Sequence, residues 1–170
     1  MKLAKKIVIA ALVVFVIGML IPQHLKMPVE GATTADFNPQ SFWYYPWGSS
    51  IVHKGVDIFA QKGTVVYSST PGIVLFTGNA GKGGNAVLIL GPKWRLHYYA
   101  HLDKITTSPF AIVTHHSRIG TVGNTGNAAT TPAHLHYAIG TMLLYPGRID
   151  QSPLGWQKAF YLNPIEYLSK

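Results

Sequence analysis

Two histidines separated by one residue, His134 and His136, and the upstream segment His53-Lys-Gly-Val-Asp57 are the groups in this chain best suited to chemistry. Imidazole nitrogen and carboxylate oxygen are ligand types that catalytic zinc prefers, with a fourth position left for water. On a strand, residues i and i+2 share a face, so His134 and His136 point into one cavity. One of the pair suffices for a metal. The other then stands beside the activated water, where a proton acceptor is useful.

The spacing from His53 to Asp57 makes its own demand. Four extended residues span roughly 13 Å, too far for two ligands of one ion. Gly55 and Val56 are poor helix residues, which argues against a helical turn. The chain must instead fold back at Lys54-Gly55, where glycine tolerates the backbone angles of a tight bend. A strand through Val56-Asp57-Ile58-Phe59 then carries the carboxylate.

Other residues narrow the chemistry. His97 and His101 lie on a predicted strand on which 97, 99 and 101 share a face, so either could look into the cavity. His115 and His116 sit in a polar stretch and His24 in the segment that reads as a linker. The two glutamates, Glu30 and Glu166, lie in the terminal segments, which excludes a helical H-E-x-x-H peptidase with a glutamate base. A zinc hydrolase built on this chain must move its proton with histidine. With no cysteine, disulfides, thiolate zinc sites and cysteine nucleophiles are excluded.

The elements that position these groups read as β-rich. Predicted strands cover 63–67, 72–77, 86–90, 95–101, 119–122 and 136–139, separated by glycine-bearing turns. That spacing fits an all-β antiparallel sandwich or open barrel. At the C-terminal end only Pro164 to Leu168 looks helical. The loop Gly78 to Gly84 lacks the spacing of a phosphate-binding loop and reads as a hairpin connection.

At the other end, Lys2, Lys5 and Lys6 precede an apolar run from Ile7 to Ile21, closed by Pro22. A basic start before an apolar run marks export. The run is shorter than the roughly 20 residues of a comfortable span, and Leu3 and Ala4 extend it. Residues 1–22 are therefore expected to be an uncleaved signal anchor, lysines inside and domain outside. A cleaved signal peptide, with secretion, and a buried core helix are the alternatives. Residues 23–41 read as a linker and 42–170 as the domain, opened by the aromatic cluster Phe42 to Trp47, which either lines a groove or packs at the edge and core.

The formal net charge of +8 comes from 14 basic and 6 acidic residues and suits an anionic partner such as a cell-wall polymer or lipid surface. The basic residues are scattered and form no nucleic-acid motif, so no nucleic-acid partner is expected. A content of 48% hydrophobic residues argues against wholesale disorder. A monomer is expected.

Taken in order, these segments resemble the lysostaphin-type (LytM-like) zinc metallopeptidases of the bacterial cell wall. His53-Lys-Gly-Val-Asp57 is similar to that family's H-x-G-x-D, and Tyr99-Ala-His101-Leu102 to its Y-x-H-L. The run from Ile119 through Gly126 into His134-Leu-His-Tyr137 resembles its glycine-rich approach to H-L-H-[FY], and Asn163-Pro164 with Tyr167-Leu168 its ending. The resemblance implies a β-rich duplicated hybrid motif of antiparallel sheets. It implies zinc held by His53, Asp57 and His136, with His101 and His134 as catalytic histidines. The implied activity is hydrolysis of peptide bonds in peptidoglycan stems or cross-bridges, in the cell envelope. Some relatives of this fold have lost zinc ligands and act as non-catalytic modules that activate amidases. Ala133 and Ala138 depart from the family pattern next to the H-x-H, where groove shape rather than ligation is at stake.

Overall fold

The computed structural model describes residues 2–169. Its first element is α1 (Lys2–Leu20), a helix of 19 residues apolar on every side. Pro22, which lacks an amide proton and restricts the residue before it, ends the helical run. Almost all of α1 is exposed; Gly18 is the buried exception. A Cβ at Gly18 would lie 2.4 Å from the Trp94 indole, and the Trp94 Nε1 donates to the Phe15 carbonyl at 2.9 Å. The end of the helix thus docks on the turn Pro92–Trp94.

Nine strands form one connected sheet. They are β1 (Val56–Phe59), β2 (Val65–Tyr67), β3 (Gly72–Asn79), β4 (Asn85–Gly91) and β5 (Arg95–Ile105). After these come β6 (Ile112–Val113), β7 (Arg118–Val122), β8 (His134–Thr141) and β9 (Tyr161–Leu162). Every pairing is antiparallel, in the order β1-β8-β5-β4-β3-β6, with β7 joining β2 to β5 and β9 capping β8. The expected all-β antiparallel architecture is the one found, and the final short helix, α2 (Ile165–Leu168), falls where the sequence placed it. The sequence did not mark β6 and β9, two residues each.

Alternation along the strands sorts the side chains into two faces. Val56 and Ile58 of β1, and Leu135, Tyr137 and Ile139 of β8, are fully buried in the core. The residues between them, Asp57, His134 and His136, face an open groove. A one-residue slip in register would exchange the two sets, so core burial itself fixes which residues reach the groove. Segment 23–41 has little regular structure yet lies against the sheet. Val29 and Phe37 join the core, and the 28–30 stretch bonds to β2 through Tyr67 N to Pro28 O at 2.7 Å and Glu30 N to Val65 O at 3.0 Å.

Candidate metal centre

Asp57 and His136 are direct cross-strand partners in the β1–β8 pairing, and His134 stands opposite Phe59. This places the carboxylate beside the imidazole across the ladder, where partner side chains are close enough to touch. His136 Nδ1 lies 2.8 Å from Asp57 Oδ1. His53 reaches the same oxygen from the preceding loop, with Nε2 3.0 Å from Asp57 Oδ1 and 3.1 Å from His136 Nδ1.

The fold-back between His53 and Asp57 occurs as expected, but glycine serves a different purpose there. Gly55 is not in the left-handed region. A Cβ on it would come within 2.5 Å of the Tyr137 carbonyl oxygen and 2.9 Å of the His136 ring. What the position needs is space, so that the loop can lie flat against β8.

The cluster has the chemistry of a cation site. His53 Nδ1 donates to the Ser41 carbonyl at 2.9 Å, which leaves the lone pair on Nε2 facing inward. Burial pushes the Asp57 carboxyl up, but hydrogen bonds and charge from His136 and His53 outweigh it and hold the group well below the usual carboxylate range. Two imidazole nitrogens and a carboxylate oxygen therefore converge, within 4.8 Å of one another. Their separations approach the roughly 3.4 Å edge of a tetrahedron with zinc bonds near 2.1 Å. A carbonyl acceptor behind a ligating histidine is the usual way to fix its tautomer. The residues present fit zinc.

Two further imidazoles flank the cluster. His134 Nε2 lies 3.8 Å from Asp57 Oδ2, and its Nδ1 donates to the Pro132 carbonyl at 2.8 Å. His101 Nδ1 donates to the Thr125 carbonyl at 2.9 Å. The rings of His101 and His134 are 5.0 Å apart between centroids, and His101 is 6.0 Å from His136. In both, the proton sits on Nδ1 and Nε2 is the open acceptor. Burial first, then the nearby His136 and His134, lower the His101 pKa to about 4, against the opposing pull of the Thr125 carbonyl and Asp57.

Regular alternation would have sent His101 into the core with Tyr99. A bulge prevents this: Asn85 pairs with Leu102 and Val87 with Tyr99, so two residues, Ala100 and His101, oppose Ala86 alone. His101 takes φ 64°, a left-handed conformation that costs a non-glycine residue on the order of 1 kcal/mol or more. The bulge turns its side chain onto the groove face beside Tyr98 and His136, and there β5 exchanges β8 for β7 as a partner. Thr125 braces the bulge, accepting from Asn85 N and donating to the Leu102 carbonyl, both at 2.9 Å. Gly84 and Gly126, each with positive φ, let the loops carrying these groups touch; a Cβ on Gly84 would sit 2.4 Å from Gly126 N. His97, the other candidate on β5, stays in the core, bonded to the Tyr137 hydroxyl at 2.7 Å.

Sequence reasoning gave no role to the carbonyls of Ser41, Pro132 and Thr125 that orient the three imidazoles. Backbone acceptors leave no trace in residue type. The aromatic cluster divides. Trp43 is buried, its indole donating to the Pro153 carbonyl at 3.0 Å, whereas Trp47 lines the groove and stacks on His53 with centroids 4.2 Å apart.

Residues 51–145 match the peptidase family M23. The chain belongs to peptidase family M23. This M23 chain is 39% identical over 87 residues to the peptidoglycan DD-endopeptidase ShyA of Vibrio cholerae, covering 51% of this chain and 20% of that protein. It is 30% identical over 149 residues to the murein hydrolase activator NlpD of Salmonella typhimurium, covering 82% of this chain and 34% of NlpD. The chain thus spans a fifth to a third of the length of these curated relatives. Its fold matches the catalytic domain of lysostaphin from Staphylococcus simulans with a TM-score of 0.62 at 24% identity, over 76% of this chain and 90% of that one. A zinc containing peptidase from Vibrio cholerae aligns with a TM-score of 0.57 at 28% identity, over 69% of this chain and 36% of that one. Zinc is thus the cofactor that both the family and the donor set indicate.

Proposed function

We propose that this M23 protein is a zinc-dependent endopeptidase that hydrolyses peptide bonds in peptidoglycan stems or cross-bridges. The observation that carries the reading is the convergence of His53, Asp57 and His136 at the floor of a groove, with two more imidazoles beside them. His53 Nε2, an Asp57 carboxylate oxygen and His136 Nδ1 would hold the metal. Zinc, when bound, supplies Lewis-acid polarisation of a carbonyl and lowers the pKa of water.

The remaining chemistry belongs to His101 and His134. With Nδ1 of each committed to a backbone carbonyl, the proton of the attacking water is received at the Nε2 of one imidazole. The same nitrogen returns it to the leaving amine. The other imidazole would hydrogen-bond the developing oxyanion, a contact that strengthens as charge builds. Trp47, against His53, shields that ligand from water on its outer side.

We place the domain outside the cytoplasmic membrane, held by α1. Nineteen helical residues cover roughly 28 Å at 1.5 Å each, close to the hydrocarbon thickness of a bilayer. Similarity to an activator over most of the chain supports a second reading, in which the domain stimulates another murein hydrolase without cutting. Digestion of purified peptidoglycan with the zinc-loaded protein separates the two. New amine termini and shortened muropeptides by mass spectrometry are expected, and stoichiometric zinc with no product would overturn the enzyme reading.

A further inference from the structure

At the Arg95 end of β5, away from the metal cluster, the β4–β5 hairpin closes through Pro92, Lys93 and Trp94. Lys93 and Trp94 take φ of 60° and 55°, the left-handed region where hairpin loops ordinarily place glycine or asparagine. A bulky indole in that conformation must be held by its surroundings, and here they are α1. The Trp94 ring lies parallel to Phe15, with centroids 6.5 Å apart, and rests against Gly18. Its Nε1 donates to the Phe15 carbonyl. The Lys93 ammonium donates to the Met19 carbonyl at 3.1 Å, one of the last-turn acceptors that no helical amide reaches.

The depth of this contact decides what surrounds it. Phe15 lies five residues before the helix end at Leu20, about 7.5 Å at 1.5 Å each. If α1 crosses a bilayer up to Leu20, an indole stacked on Phe15 lies below the headgroups. Tryptophan suits that level, and the one polar atom of this side chain is already bonded. Lys93, bonded at the helix end, keeps its charge where headgroup phosphates lie. Met142 and Leu144, both more than half exposed, follow Thr141, the register partner of Arg95, and so leave the sheet at the same end. Nor does the chain after α1 give slack to lift the turn away. Gln23 is bonded to His97 and Arg95, the His24 carbonyl accepts from His115 at 2.8 Å, and Lys26 N donates to Ser69 O at 3.0 Å.

Resting on the reading of α1 as a membrane anchor, we propose that the Pro92–Trp94 turn is a second membrane contact. Trp94 enters the outer leaflet beside α1, and the domain is fixed on the bilayer surface rather than swinging on a linker. The reacting groups then keep one height. His101 follows Arg95 by six residues of β5, up to roughly 20 Å of strand, so the groove serves the peptidoglycan closest to the membrane.

The test uses the full chain reconstituted into phosphatidylcholine vesicles, with and without lipid brominated on the upper acyl chain, which quenches the tryptophans it touches. Trp94 is one of four tryptophans, so bromolipid is expected to remove up to about a quarter of the emission, and Trp94→Phe to abolish that loss. Gly18→Leu lies in α1 and leaves the packing within the domain untouched. By pushing the indole off the helix it should cut the quenching by about half or more. Quenching that persists in Trp94→Phe, or that Gly18→Leu leaves unchanged, overturns the contact. Flotation of the vesicles separates this failure from that of the anchor. A chain that floats with them but shows no quenching keeps the anchor and loses the second contact, whereas a chain that does not float refutes both.

Discussion

Two polar clusters are built on opposite faces of β5 and β8. On the groove face, His53, Asp57 and His136 aim three acceptor atoms at one point, and His101 and His134 present open nitrogens beside them. On the core face, His97 is completely buried, with Nδ1 2.7 Å from the Tyr137 hydroxyl and Nε2 3.3 Å from the Gln23 amide. Arg95 reaches the same Gln23 and the Tyr167 hydroxyl. Both clusters hold buried imidazoles. They differ in closure: both ring nitrogens of His97 find partners within the core, whereas the groove cluster gathers acceptors that a cation would complete. Burial of a histidine is weak evidence of chemistry, and convergence of unsatisfied lone pairs is strong evidence.

The sharpest break of that comparison is removal of one converging ligand. His136→Ala should abolish stoichiometric zinc by atomic absorption and lower peptidoglycan hydrolysis at least about 10³-fold, because the Lewis acid leaves with it. His97→Gln, on the opposite face, should keep its zinc. Loss of zinc from both variants would erase the distinction between the two clusters. Next in size is His134→Ala. It removes an open nitrogen without removing a ligand, so zinc should stay near one per chain while kcat falls about 10²–10⁴-fold. Unchanged kcat would remove His134 from proton handling.

Much of this was legible in the chain. Short β-rich runs between glycine-bearing turns marked most strands, and the H-x-H and H-x-x-x-D segments carried the metal-site residues. Three things were not legible, each for a physical reason. The bulge that turns His101 into the groove is set by pairing with β4 and by the Thr125 brace, and nothing local to Tyr99-Ala-His101 announces it. Strands β6 and β9 are two residues long and exist only because a neighbour offers an open edge. Val29 and Phe37, isolated apolar residues in a polar stretch, show no period, yet both reach the core. Gly55 was read correctly as a bend and for the wrong cause, because crowding by another strand is invisible in a single segment.

That crowding yields a test of intermediate size. Gly55→Ala would place a methyl 2.5 Å from the Tyr137 carbonyl oxygen, backbone that has little freedom to move. Overpacking of this kind costs about 1–3 kcal/mol, and here the strain falls on the loop that carries His53. Zinc affinity, by competition with a chelating dye, should weaken more than thermal stability of the zinc-free protein. Equal losses would mean that Gly55 supports the fold rather than the metal loop.

The smallest effect sharpens the comparison through pH. Burial, and then the charge of Arg95, lower the His97 pKa to about 3 from an ordinary value near 6.5. Between those values the unfolded chain binds a proton at this position and the folded chain does not. Stability therefore rises with pH across the window and is lost as pH falls from 6.5 toward 3. One proton contributes a slope of up to about 1.4 kcal/mol per pH unit. His101, lowered to about 4, adds a slope of the same sign in the upper part of the window. Denaturant titrations of the zinc-free protein between pH 6.5 and 4.5 should therefore show a positive slope that shrinks in His97→Gln without vanishing. The residue left in that variant belongs to the groove histidine, so adding zinc should change it more than it changes the His97 part. A slope untouched by His97→Gln would mean that the core imidazole titrates as freely as in the unfolded chain, and the closure attributed to its cluster would be lost.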